Sequence, residues 1–281
     1  MPESTTAELI ADAASNGRGI AAFNVITLEH AEAIVRGAGQ AARPVILQVS
    51  ENAVGYHGAL EPLAAAVRAI AAAADVPVSL HLDHVEEREL LRRAVSTGFS
   101  SVMVDAGRLP YAENVAETAD AARWLHAEDV FVEAELGYVG GKDSQTVSAH
   151  APGARTDPRQ AAEFVADTRV DALAVAVGSS HAMTSQTATL DFGLIETLRD
   201  TVPVPLVLHG SSGVADADLQ RAVRAGVVKV NIGTALNVAF THAVRRSLDT
   251  GTSVDPRTYL GEARDAVAAT VRDLIELVAT A

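Results

Sequence analysis

The stretch VSLHLDHVEERELLRRAVSTGFSSVMVD, residues 78–105, contains a complete strand–helix–strand unit. Val78–Asp83 and Ser101–Asp105 are short apolar runs, and Glu86–Thr97 between them is amphipathic at helical spacing. Two strands joined by one helix lie parallel, because the crossover returns the chain to the same end of the sheet. The alternation repeats on both sides of this unit. Ile20–Asn24 and Val45–Ser50 precede it, and Val130–Glu135, Ala172–Val177, Leu206–His209 and Val227–Ile232 follow. Helical segments lie between them at Glu29–Ala42, Leu60–Ala74, Tyr111–His126, Pro158–Thr168, Phe192–Thr201, Asp216–Ala225 and Ala235–Leu248. Eight strands in even alternation with helices predict a closed α/β (β/α)8 TIM barrel rather than an open doubly wound sheet. An extra helix over Thr5–Ala14 is expected before it, and another over Gly261–Ala279 after it. No Gly/Ser or Pro linker divides the chain, so residues 1–281 read as a single domain.

Composition agrees with this reading and removes several functions. Hydrophobic residues make up 48% but aromatics only 4%, so Ala, Val and Leu must fill the core, as suits helices packed closely on a parallel sheet. The formal charge of −14 with no basic run argues against a nucleic-acid partner. There is no cysteine, hence no disulfide, thiolate ligand or thiol nucleophile. The N-terminus has no signal-peptide pattern and no apolar run is long enough for a membrane span, so a cytoplasmic location is expected.

Polar residues that interrupt apolar strands carry the chemistry. His84, His181 and His209 fall at or just beyond the ends of strands three, six and seven, which a barrel delivers to one rim. Three neutral imidazoles there would form an open catalytic zinc site. The other six histidines read as helix, loop or strand residues. Asp83, beside His84, would take or give a proton next to the metal, or else orient a histidine. Asp105, Glu133 and Glu135 also end strands, where a supporting role fits as well as a catalytic one. Gly210, Ser211, Ser212 and Gly213 after strand seven, and Gly233 and Thr234 after strand eight, precede helices and read as a phosphate cradle. Two long connections, Leu136–Asp157 and Gly178–Leu190, fall on the catalytic face.

As a set, these motifs resemble the class II, metal-dependent ketose-bisphosphate aldolases, which include the fructose- and tagatose-bisphosphate enzymes. The likeness runs nearly end to end. It includes Ala22-Phe23-Asn24-Val25, His81-Leu82-Asp83-His84, Ser101-Val102-Met103-Val104-Asp105 and Glu133-Ala134-Glu135-Leu136-Gly137. It continues in Val207-Leu208-His209-Gly210, Lys229-Val230-Asn231-Ile232 and Asp255-Pro256-Arg257. The resemblance implies zinc on His84, His181 and His209, with Asp105 and Glu135 as supporting or alternate metal groups. It implies Asp83 as acid/base, Asn231 steadying the enediolate, and a proton-transfer acid in the loop after strand five, here Asp143. Asn24, Ala182, Gly210, Ser212, Gly233 and Thr234 would contact substrate, the last four at the dihydroxyacetone phosphate group. Ser50 and Arg257 match positions for the far phosphate, the arginine reaching in from a neighbouring subunit. A monovalent cation (Na+ or K+) near the first phosphate and a homodimer or homotetramer are further implications. The expected reaction is reversible aldol cleavage of a phosphorylated ketose, fructose 1,6-bisphosphate first, to dihydroxyacetone phosphate and glyceraldehyde 3-phosphate.

The chain departs from the family at its C-terminus, which lacks the Gly-Ser-containing tail of several relatives, and at three internal places. Ala182-Met183-Thr184-Ser185-Gln186 replaces a Gly followed by Tyr-Lys, Gly140-Gly141-Lys142-Asp143-Ser144 shortens the loop acid, and Asp105-Ala106-Gly107 replaces Asp-Gly-Ser. These changes leave open tagatose 1,6-bisphosphate, another phosphorylated ketose or a deoxy-keto-sugar acid as substrate, and a non-catalytic sugar-phosphate-binding barrel. A Schiff-base mechanism would need Lys142 or Lys229, the chain's only lysines, and leaves the three histidines unexplained.

Overall fold

Eight parallel strands close on themselves in sequence order, β1 to β8, in the computed structural model, which describes residues 4–137 and 155–279. They are β1 (Ile20–Asn24), β2 (Val45–Ser50), β3 (Val78–Val85), β4 (Ser101–Val104), β5 (Phe131–Leu136), β6 (Ala172–Val175), β7 (Leu206–Leu208) and β8 (Val227–Ile232). The expected (β/α)8 barrel is therefore present. The runs at strands six and seven extend past the ladder, and His209 lies just beyond β7.

The barrel helices are α2 (Leu28–Ala41), α4 (Glu61–Ala72), α5 (Arg88–Thr97), α6 (Tyr111–His126), α7 (Pro158–Thr168), α8 (Phe192–Thr201), α9 (Asp216–Ala225) and α10 (Thr234–Thr250). An unforeseen short helix, α3 (Glu51–His57), starts directly from β2, with the Ser50 hydroxyl accepting the Ala53 N–H as its cap. The terminal helix α11 runs from Pro256 to Ala279, five residues earlier than its apolar pattern suggested. It crosses α2 at Gly37, where a Cβ would come 2.6 Å from the Ala268 carbonyl oxygen. No helix of the described residues is long and apolar enough to cross a membrane.

The strands do not bury the same chemistry on their two faces. Phe23, Leu47, Leu80, Leu82, Val102, Val132, Leu173, Val230 and Ile232 face out into the apolar layer beneath the helices. Their neighbours at period two face in. The inward residues near the bottom are apolar, Ile20, Ala22 and Ile46, and helix α1 (Thr6–Ser15) packs Leu9, Ile10 and Ala13 against them. Full burial of each large side chain there contributes about 1.5–3 kcal/mol. Thr6 fastens the plug through hydroxyl contacts with Ser79 at 3.0 Å and Ser101 at 2.9 Å. Above that layer the interior is polar and buried, with Gln48, His81, Asp83, Glu133, Lys229 and Asn231. Such a core is stable only if its members satisfy one another.

Candidate active site

Asp83 and His84 pose a geometric problem, because adjacent strand residues point to opposite faces. Asp83 lies in the inward register with His81, so a regular strand would send His84 outward. Instead His84 adopts φ 52°, and the β3–β4 pairing shifts between Leu82 and Val85. A left-handed conformation in a non-glycine residue costs roughly 1–2 kcal/mol. Here it brings both side chains to the wall of one cavity of about 340 Å³.

His181, from the connection after β6, and His209, just past β7, meet His84 there. Their ligating nitrogens all lie within 4.8 Å of one another, and the ring centroids are 4.8–5.6 Å apart. The Nδ1 of His84 is 2.8 Å from Asp105 Oδ2, the carboxylate–imidazole pairing that orients a metal ligand. His209 Nε2 is 3.0 Å from Glu133 Oε1, and its Nδ1 is 3.0 Å from Glu135 Oε2. Burial alone would lower the His209 pKa, but its hydrogen bonds to Glu133 and Glu135 outweigh it and raise the group to about 9. An imidazole flanked by two carboxylates and faced by two further imidazoles favours positive charge at that point. A divalent cation fits the three donors, and their type suits zinc.

Asp83 sits beneath this triad, held from three sides. Asn24 Nδ2 donates to its Oδ2 at 3.1 Å and Gln48 Nε2 reaches the same oxygen at 3.5 Å, while Asn231 Nδ2 is 3.4 Å from Oδ1. Gln48 also donates to Asn24 Oδ1 at 3.0 Å, which fixes the orientation of that amide. Burial opposes ionisation of Asp83, yet His84, His81, His209 and Lys229 hold its carboxyl well below the usual carboxylate range. Asp83 is therefore ionised, and its oxygens can only accept. Desolvation, aided by Lys229 against the pull of Glu133 and Asp83, pushes His81 down to about 3, leaving it neutral with Nδ1 2.6 Å from the Ser101 hydroxyl.

On the β7–β8 side the cavity is lined by Gly210, Ser211, Ser212, Gly233 and Thr234. Ser212 Oγ accepts the Ala235 N–H at 3.0 Å, which joins the two loops at the start of α10. Gly210 has φ 66°, and a Cβ on it would come 2.5 Å from the Ser180 carbonyl carbon and oxygen. We expect Gly210→Ala to lose about 2–4 kcal/mol of stability from clash and backbone strain combined. An unchanged midpoint in urea unfolding would contradict this.

The structure brings most of the anticipated residues together. Asn24, Ser50, Asp83, His84, His181, Ala182, Gly210, Ser212, Asn231, Gly233 and Thr234 all line the cavity. Asp105 and Glu135 contact ligand histidines from behind. Asp143 lies outside the described residues. Arg257 does not line the cavity of its own chain; its side chain is 90% exposed and ion-paired with Asp255. Glu51, Asn52, Glu86, Arg108 and Ser180 also line the cavity and were not anticipated. Glu51 and Asn52 open the unforeseen helix α3, and Glu86, Arg108 and Ser180 sit in connections, where no periodicity marks a residue's direction. Gln48 was also missed, although an amide inside an apolar β2 run is a readable signal.

Residues 4–281 match the family model described as class II fructose-bisphosphate aldolase. The YdjI aldolase from Escherichia coli K12 is 34% identical in sequence and aligns over 98% of this chain and 97% of its own, with a TM-score of 0.85. A candidate fructose-1,6-bisphosphate aldolase from Coccidioides immitis is 28% identical over 99% and 97%, with a TM-score of 0.88. The fructose-bisphosphate aldolase of Campylobacter jejuni, 24% identical over 96% and 93% with a TM-score of 0.79, shares the fold.

Proposed function

Because the chain belongs to the class II fructose-bisphosphate aldolase family, we propose that it is a zinc-dependent aldolase whose substrate is fructose 1,6-bisphosphate. The observation that carries this reading is an ionised, amide-held Asp83 that shares a cavity with His84 and His181, two of the three convergent histidines. A non-catalytic binding barrel has no use for such a base beside a cation site.

A cation on His84, His181 and His209 would supply Lewis acidity to the ketone of the substrate. Asp83 accepts the proton of the C4 hydroxyl. The C3–C4 bond then breaks, the C4 oxygen becomes the aldehyde carbonyl, and the bonding pair passes to the enediolate of dihydroxyacetone phosphate. The amide of Asn231 donates a hydrogen bond to the developing oxyanion. The phosphate is held by Gly210, Ser212, Gly233 and Thr234 at the α10 N-terminus. Asp143 is proposed to return a proton to the enediolate carbon. Arg257 would act only from a neighbouring subunit of a homodimer or homotetramer.

One observation favours a second reading, a ketose with a single phosphate. The β2–β4 side of the cavity, opposite the cradle, carries Glu51 and Glu86, and its one described cation, Arg108, is 3.4 Å from Glu86. A second phosphate would meet two carboxylates there unless a partner subunit adds charge. Cleavage of fructose 1,6-bisphosphate and fructose 1-phosphate should be measured before and after EDTA treatment and again with added zinc. We expect activity to vanish with chelation and return with zinc, with the bisphosphate preferred. A preference for the monophosphate selects the second reading, and chelation-resistant activity rejects the metal mechanism.

A further inference from the structure

Lys229 is a fully buried charge that the mechanism leaves unused. Its side chain is fully buried, below the cavity rather than lining it, and inward-facing on β8 two residues before Asn231. Its ammonium donates to Glu133 Oε2 at 2.7 Å and to Asn231 Oδ1 at 2.8 Å. Charge balance explains the first contact, since burial opposes ionisation of Glu133 and Lys229 foremost overcomes it. It does not explain the second.

An ammonium has only donors, so whatever faces it must accept. The Asn231 side chain can therefore present only Oδ1 to Lys229, and its Nδ2 is committed to the opposite direction, toward Asp83 and the cavity. Without Lys229 only the long 3.4 Å contact with Asp83 opposes a half-turn of the amide, after which an acceptor would face the developing oxyanion. Glu133, the other partner of this ammonium, is 3.0 Å from His209 Nε2, so Lys229 lies between the amide and the histidine cluster.

We propose that Lys229 is a positioning residue that sets the amide orientation of Asn231. The proposal rests on the aldolase reading above, with Asn231 as oxyanion donor. It also replaces the Schiff-base role for this lysine with one that requires it to stay protonated.

The test must separate orientation from charge balance, since Lys229→Met leaves a buried unpaired carboxylate and is expected to fold poorly. The double variant Lys229→Met with Glu133→Gln removes both charges. A glutamine at position 133 still accepts from His209 through its carbonyl, but nothing then holds Asn231 Oδ1. We expect the double variant to fold and to retain its metal by elemental analysis. Its KM should stay within about threefold of wild type, with kcat and the rate of deuterium exchange into dihydroxyacetone phosphate lower by about 10²-fold, the effect of losing one oriented oxyanion donor. A double variant with kcat within about threefold of wild type would show that Lys229 only neutralises Glu133, and would overturn the proposal. Wild-type protein that neither cleaves sugar phosphates nor exchanges dihydroxyacetone phosphate would instead remove the aldolase reading.

Discussion

Asp83→Asn is expected to lower kcat by about 10³-fold while the protein keeps its metal and its fold. The substitution preserves shape and the contacts of one oxygen but removes the ability to take a proton. Its effect should be large because the other buried carboxylates of the described residues are engaged elsewhere. Glu133 is bound by Lys229 and His209, and Glu135 and Asp105 stand behind ligand histidines. The geometry around Asp83 is also costly to reproduce: three amides from β1, β2 and β8 converge on it, and two of their orientations are fixed by further partners. Asp83→Ala should lose as much turnover and somewhat more stability, because Asn24 and Asn231 would be left with buried donors unmet. Steady-state kinetics with parallel metal analysis decide the matter. Activity within tenfold of wild type, in protein with full metal content, would remove Asp83 from its role as base.

His181→Ala is expected to abolish turnover by a different route, through loss of the metal. Of the three histidines it is the one to test, since truncation there disturbs the fold least. His209 is fully buried against Glu133 and Glu135, and His84 holds a left-handed backbone together with its Asp105 contact. His181 comes from the connection after β6 and is partly exposed. With two ligands remaining, zinc affinity should fall well beyond the 10–100-fold typical of disturbing a residue behind a ligand. We expect substoichiometric metal after dialysis, no measurable cleavage, and a thermal midpoint in EDTA equal to that of wild type in EDTA. Full metal retention would place the cation elsewhere. A lowered midpoint in EDTA would make His181 a structural residue.

Much of this was legible in the chain itself. Apolar runs of four to six residues alternating with amphipathic helical segments specify parallel strands and crossover helices, because burial on the outer face and periodicity are local properties of sequence. A polar side chain inside such a run, as at His81, Asp83, Glu133, Lys229 and Asn231, is visible for the same reason: it is costly to bury unless it is used or paired. His84 and His209 were readable as strand-end residues, whereas His181 lies in the connection, past the end of β6 at Val175.

Their partners were not. Glu133 and Lys229 are 96 residues apart, Asp83 and Asn231 148, and only closure of the barrel makes them neighbours. Strand alternation alone would have separated Asp83 from His84; a register shift and one left-handed residue, set by pairing with β4, put them together. Arg257 shows the opposite case, a motif residue that the fold leaves on the surface of its own chain. Sequence by itself determined the barrel, the candidate donors and the family, since these follow from local pattern and residue type. Tertiary structure alone decided which atoms face one another, and with that which carboxylate is free to act as base, because direction and distance across a closed barrel depend on the packing of all eight strands.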